Sequence, residues 1–483
     1  MALNPLKLDK NRAYLKQIDQ QAYQHGWHRL THRQRRAEVT LGNRGTYVGL
    51  ACAAVAAVLV GMLAFNPLGI GAPRASEAES PASTAPSTHS TAATTTSAND
   101  VATSAGKGTA AYGAPAVWAS EDPRTAQIVA NMTTQQKVDQ LFIVSPEAVV
   151  GTSSTVTAAG STTENALALD PVGGIIYSSA NLEEASQIKS MLSNSQTYSN
   201  EAVGLPLFLA VNEEGGSVST VGGHVEGIAN VGDAASLTSA NDAKNTYQSV
   251  GNYLLGLGFN LDLAPVADVS TSSASSPRTF GSDPNQVASL VSAAVEGLNA
   301  SGILCSPKHF PGIGGVSVDA EGKAMTSNAT LAEMESSTLP PFQAAMAQGV
   351  PFVMVGHLST PAVSSGNGST PASFNSAIVT DLLRNQLGYQ GLIITDALNT
   401  DAITSSYSNN QVGVLALQAG CDVILCPEDF DDAKMGVIEA VRSGKISEDR
   451  LNQSVTRVVN TKLTMNNKLT QAGFTTAAGK VRQ

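Results

Sequence analysis

Charge is scarce in this chain. Asp, Glu, Lys and Arg make up 14% of 483 residues and aromatics 5%. So low a charge density excludes a coiled coil, and 39 acidic against 28 basic residues excludes a basic nucleic-acid binder, so no nucleic-acid partner is expected. Four cysteines are too few for a disulfide framework. Cys52 lies in an apolar span, and Cys305, Cys421 and Cys426 lie in strand-like apolar runs, where they read as small buried hydrophobes rather than ligands or bridges. Length is not scarce, and it allows two or three folded units.

The net charge of −11 hides two opposite parts. Residues 1–46 hold nine Lys/Arg against three Asp/Glu, and the remainder holds nineteen against thirty-six. Between Gly45 and Pro73 no residue is charged, and Thr46–Phe65 is apolar or small throughout. Twenty such residues in a helix just span a hydrocarbon core of about 30 Å. Arg29, Arg33, Arg35, Arg36 and Arg44 precede the span and only Arg74 follows it closely. The positive-inside tendency then predicts a single-pass anchor in the cytoplasmic membrane through 46–65, with a basic cytoplasmic head at 1–45 and the rest of the chain extracellular. A buried soluble helix would carry a polar stripe, which is missing. A cleaved signal peptide remains the competing reading, although forty-five residues is a long leader for one.

Residues 66–116 follow as an Ala/Ser/Thr/Pro-rich stretch that buries too little apolar surface to offset the entropy of ordering it, so a disordered stalk is expected. From 117 to about 463 a rhythm sets in. Short apolar runs rich in Val, Ile and Leu occur at 141–144, 174–177, 207–211, 261–265, 302–305, 352–355, 392–394 and 423–426. Most lack alternation, as strands buried on both faces do. Helical patterns such as 288–300, 331–348 and 376–387 lie between them. Eight strand–helix units predict an α/β (β/α)8 TIM-type barrel, with an open doubly wound sheet as the alternative. A polar tail, frayed from Met465, is expected over 464–483.

Active sites of such barrels form at the carboxyl ends of the strands. Ionisable residues collect there: Asn212-Glu213-Glu214 after the third run, Asp268 after the fourth, Lys308-His309 after the fifth, His357 after the sixth and Asp396 after the seventh. One strand-end Asp is commonly a helix cap, and His357 is as readily structural as functional. Lys308 has a structural reading too, pairing with a carboxylate at the barrel mouth.

Four motifs in this order, Glu214-Gly-Gly, Arg278-Thr-Phe-Gly-Ser-Asp-Pro, Lys308-His-Phe-Pro-Gly and Gly391-Leu-Ile-Ile-Thr-Asp396-Ala-Leu-Asn, resemble the catalytic domain of glycoside hydrolase family 3, in its β-N-acetylhexosaminidase branch, over roughly residues 126–427. The resemblance implies a metal- and cofactor-free enzyme that removes terminal N-acetylglucosamine with retention. It implies Asp396 as nucleophile and Asn212, Arg278, Lys308 and His309 as sugar-binding residues. Retention needs two carboxyl-type groups about 5–5.5 Å apart, one to attack the anomeric carbon and one to protonate the leaving oxygen.

The second group departs from the family pattern. The family carries Asp-Ser-His in the loop after Lys-His-Phe-Pro-Gly; here the loop reads Asp319-Ala-Glu321. A glutamate can serve as acid/base if burial or the neighbouring Asp319 raises its pKa. Glu321 is the candidate acid/base and Asp319 its partner; the competing reading is two solvated loop charges. Asn212 stands where the family has a sugar-binding Asp, and Ser217 and Thr220 stand where it usually has Arg. The sequence therefore predicts an extracellular exo-glycosidase acting on a glycan substrate. The alternative is a catalytically impaired domain that binds cell-wall sugar or an envelope partner. Oligomeric state is not readable.

Overall fold

The computed structural model describes residues 121–270, 277–313, 317–318, 325–364 and 370–471. The predicted head, the Thr46–Phe65 span and the stalk lie outside the described residues, as do Asp319 and Glu321. Among the described residues no helix is long and apolar enough to cross a membrane.

All eight apolar runs form strands: β1 Phe142–Val144, β2 Gly174–Ile176, β3 Phe208–Val211, β4 Leu261–Asp262, β5 Leu304–Cys305, β6 Phe352–Val355, β7 Leu392–Thr395 and β8 Ile424–Leu425. Every pairing among them is parallel. β8, β1, β2, β3, β4 and β5 make one sheet, with Phe142 opposite Ile424, Ile143 opposite Gly174, Ala210 opposite Leu261 and Leu261 opposite Leu304. β6 pairs with β7 over four residues. Single parallel bridges, Phe310 to Val355 and Ile394 to Val423, join this pair to the sheet on either side. The strands thus follow one another in chain order around a ring, a TIM-like (β/α) fold.

Helices follow the strands: α1 Ser161–Leu169, α2 Ala185–Val203, α3 Ala240–Leu257, α4 Pro284–Ser301, α5 Pro340–Ala347, α6 Ala377–Gln386, α7 Asn409–Ala419 and α8 Phe430–Arg442, with α9 Glu448–Gln471 last. Their ends are written in the sequence. Asp283 caps α4 by accepting from the Asn285 and Gln286 amides, Pro284 supplies the first-turn residue without an N–H, and Gly302 closes the helix at φ 94°. Gly297 lets α3 and α4 touch, since a Cβ there would collide with the Lys244 carbonyl. The helical pattern expected over 331–348 is split into Leu331–Ser337 and α5, because Pro340 and Pro341 cannot donate into a continuing helix. α9 runs past residue 463 and buries Met465, so the folded body reaches into the segment expected to be a frayed tail.

The amino-terminal end of the ring holds two ionisable groups that are fully buried, Asp422 and Lys462. Asp422, just before β8, is fully buried and binds Arg384 (2.6 Å), Arg457 (3.0 Å), the Ser454 hydroxyl (2.6 Å) and the Ile393 amide (3.1 Å). Burial alone would raise its pKa, but the arginines outweigh burial and hold it below the usual carboxylate value. Lys462 of α9 points inward, donates to Gln140 Oε1 at 2.7 Å and sits 5.1 Å from the centre of the Phe208 ring. Burial pushes its pKa well below that of a free lysine. Cys305 and Cys421 are buried free thiols, as the sequence predicts, while Cys426 is partly exposed.

Candidate active site at the barrel mouth

After β3 the chain turns through a tight hairpin, Glu213–Gly215 against Val218–Ser219. Glu213 anchors it from inside: its carboxylate accepts from the Val221 and Gly222 amides, the Ser219 hydroxyl and the Tyr253 hydroxyl. The Glu213 amide in turn donates to Asp262 Oδ1 of β4, a buried carboxyl whose pKa burial raises well above normal. This fixed hairpin aims Glu214 into the mouth.

Glu214 is the hub of a cationic cradle. Arg278 grips it with two parallel bonds, Nε to Oε2 at 2.7 Å and Nη2 to Oε1 at 2.8 Å, and Lys308 Nζ lies 2.5 Å from Oε1. Desolvation opposes the charge of Glu214, but Lys308 and Arg278 outweigh it and the carboxyl stays ionised below its usual pKa. The Glu214 hydrogen bond raises the Arg278 pKa in return. Lys308 also donates to Asn212 Oδ1 at 3.0 Å. Both readings of Lys308 meet here: it pairs with a mouth carboxylate and stands among the predicted sugar-binding residues.

His309, the next residue, is held by Asp268 from the end of β4. Its Nδ1 is 2.7 Å from Asp268 Oδ2, its amide donates to Oδ1 at 3.2 Å, and the Ile313 amide donates to the same oxygen at 2.9 Å. Burial pushes His309 towards the neutral form, but the Asp268 charge and hydrogen bond, with help from Asp396, raise its pKa above the usual 6.5.

Asp396 follows β7, with its amide bonded to the Val355 carbonyl (2.9 Å) and its Oδ1 accepting the Ala397 amide (2.7 Å). Burial works against its charge. His309, His357, the Ala397 amide and Lys308 together win, so its pKa falls below the usual 3.8 and the side chain is a carboxylate. His357, after β6, bonds Ser373 Oγ through Nδ1 and the Ala397 carbonyl through Nε2, both at 2.9 Å. Burial lowers its pKa, so it is a neutral imidazole whose Nε2–H steadies the peptide that carries Asp396. Cys426, at the end of β8, holds a φ of 42°. Burial first and Asp396 second push its thiol up to about 12.

The structure thus brings together Asn212, Arg278, Lys308, His309 and Asp396 of the predicted set. The predicted acid/base pair, Glu321 and Asp319, lies outside the described residues. Asp268 and Ser373 were not singled out as site residues. The signal for Asp268 was its place at the end of β4; Ser373 has no sequence signal, because its role comes from the path of the chain after β6. Among the described residues no group of three or more His, Cys, Asp or Glu is placed to hold a metal ion.

This is a TIM-like barrel domain built around a charged carboxylate, with its ionisable side chains gathered at the carboxyl ends of the strands. The chain belongs to glycosyl hydrolase family 3, whose N-terminal domain matches residues 133–461. It is 29% identical over 298 residues to a β-N-acetylglucosaminidase/β-glucosidase of Cellulomonas fimi, an alignment covering 60% of this chain and 51% of that protein. It is 31% identical over 270 residues to the β-hexosaminidase LpqI of Mycobacterium tuberculosis, covering 53% of this chain and 68% of that one. Among solved structures, a family 3 β-N-acetylglucosaminidase from Paenibacillus sp. str. FPU-7 superposes with a TM-score of 0.64 at 30% identity, over 69% of this chain and 63% of the other. The chain spans about half the length of the Cellulomonas fimi relative.

Proposed function

We propose that the barrel is a retaining exo-glycosidase that hydrolyses terminal β-linked N-acetylhexosamine from glycans. One observation carries the reading: Asp396 is kept ionised at the strand ends, facing a rigid Glu214–Arg278–Lys308 cradle and the His309–Asp268 pair. A desolvated carboxylate with fixed cationic donors around it suits attack on an anomeric carbon while hydroxyls are held.

In this reading an Asp396 oxygen bonds to the anomeric carbon as the glycosidic C–O bond breaks. Glu321, two residues after Asp319 in the sequence, gives its proton to the departing oxygen. A water then loses a proton to Glu321 and attacks the same carbon, releasing Asp396 with overall retention. The names of the Cellulomonas, Mycobacterium and Paenibacillus relatives support the N-acetylhexosamine assignment. The uninterrupted apolar stretch at 46–65 and the basic residues before it support an anchor that holds the barrel outside the cytoplasmic membrane.

A sugar-binding domain without turnover is the second reading, favoured by Glu321 in place of the family histidine and by Asn212 in place of its aspartate. The test is hydrolysis of an aryl N-acetyl-β-glucosaminide by the purified full chain, beside the matching glucoside, xyloside and galactoside. Turnover lost in Asp396→Asn supports the enzyme; sugar binding with no turnover in the parent supports the second reading.

A further inference from the structure

Asn212 is oriented by its neighbour. An ammonium group can only donate, so the amide oxygen of Asn212 must be the atom 3.0 Å from Lys308 Nζ, and the NH2 group must face the other way. The main chain that carries it is fixed, because the Asn212 carbonyl accepts from the Thr220 amide (3.2 Å) and the Thr220 hydroxyl (2.7 Å). The residue is half-buried, and among the described residues no acceptor stands against Nδ2.

Each oxygen of Glu214 already accepts from Arg278 or Lys308, and each oxygen of Asp268 from His309 or the Ile313 amide. The N–H donors this side of the mouth offers a ligand are the Asn212 amide, the remaining Lys308 proton and, when protonated, His309 Nε2. Thr220 is folded back onto the Asn212 carbonyl and Ser217 is exposed, so neither short side chain closes the rim.

We propose that Asn212 is a specificity residue that reads a substrate oxygen as an acceptor only, so that the cradle takes an N-acetylhexosamine bearing an ether oxygen in place of the hydroxyl facing Asn212. The inference rests on the glycosidase reading for its substrate class. A carboxylate at this position would demand a hydroxyl proton from the sugar; the amide makes no such demand and accepts an O-alkylated sugar equally well.

The experiment measures binding by titration calorimetry, so that it does not depend on turnover. Methyl N-acetyl-β-glucosaminide and its three mono-O-methyl ethers, at O3, O4 and O6, are titrated into the Asp396→Asn chain and into Asp396→Asn with Asn212→Asp or Asn212→Ala. Expected is one ether that binds the Asn212 chain within about threefold of the parent sugar, and binds the Asn212→Asp chain at least about tenfold more weakly than the parent, the worth of one hydrogen bond. Asn212→Ala should weaken that ether and the parent alike. If every ether binds the Asn212 chain tenfold or more weakly than the parent, or if Asn212→Asp leaves the ratios unchanged, the proposal is overturned. Persisting ratios with no hydrolysis by the unmodified chain would sink the glycosidase reading alone; no sugar binding at all would sink both.

Discussion

The His309 imidazole and the Asp268 carboxylate form a two-point clamp, side chain to side chain at 2.7 Å and His309 amide to the other oxygen at 3.2 Å. The clamp holds a proton on His309 above pH 6.5 although burial would strip it. Because the folded pKa is raised, the stabilisation is complete below the unfolded value and is lost as pH rises through the folded one. Asp268→Asn removes the charge and should bring the His309 titration, followed by imidazole NMR, below 6.5. Sugar affinity should then fall at lower pH than in the parent. An unchanged titration would show that Asp268 does not hold the proton.

Asp396→Asn should remove at least about 10³-fold of kcat, beyond what one lost hydrogen-bond donor typically costs, with thermal unfolding unchanged within a few degrees. The pKa of Asp396 is depressed below the usual 3.8, so the acidic limb of activity due to this residue should lie below that of a free aspartate. Pre-steady-state mixing with a fluorinated aryl glycoside, followed by mass spectrometry of peptic fragments, should locate the covalent sugar on this carboxylate.

Glu321→Gln should depend on the leaving group. Aryl glycosides with acidic phenols need little protonation and should lose little, whereas a disaccharide should lose about 10²-fold or more, the usual scale of general acid catalysis. Equal losses on both would remove Glu321 from the acid/base role.

Asp422→Asn strips the charge that Arg384, Arg457 and, at 3.8 Å, Arg450 share at the base of the barrel. Because these guanidiniums keep some access to water, the loss in urea unfolding should be about 1–3 kcal/mol. The folded pKa of Asp422 is depressed, so its contribution is present above the unfolded carboxylate pKa and disappears as pH drops through the lower folded value. The parent should therefore lose stability below pH 3.8 more steeply than the variant.

Lys462→Met tests the opposite sign. A lysine whose folded pKa is lowered burdens the native state at neutral pH, and the burden lifts as pH rises towards 10.5. Parent stability should climb relative to the variant between pH 7 and 10, on top of a pH-independent cost to the variant of about 1–3 kcal/mol from the orphaned Gln140 oxygen.

The strand ring was legible because most strands lie in apolar runs without alternation, the pattern that burial on both faces leaves. The helical pattern over 288–300 was legible for equally local reasons, while the first turn of α4 from Pro284 lay outside it. The split at Pro340 was legible in principle but masked by apolar periodicity on both sides. The carboxylate at 396 could be read from its place after β7, as could Lys308 and His309 after β5. What the sequence hid was partnership. That Lys308 turns the Asn212 amide, that Asp268 supports His309 across 41 residues and that Ser373 holds His357 are products of ring closure, which no local pattern encodes.

Cys426 sits on the wall beside Asp396 with a backbone twist that side chains seldom adopt, and its sulfur keeps its hydrogen up to about pH 12. At neutral pH the nucleophile this part of the wall presents is therefore the Asp396 carboxylate and not the thiol. Maleimides and iodoacetamide should react slowly with this thiol, while an epoxide- or aziridine-bearing sugar should find the neighbouring carboxylate, so the wall separates soft from hard electrophiles by which group it leaves ionised.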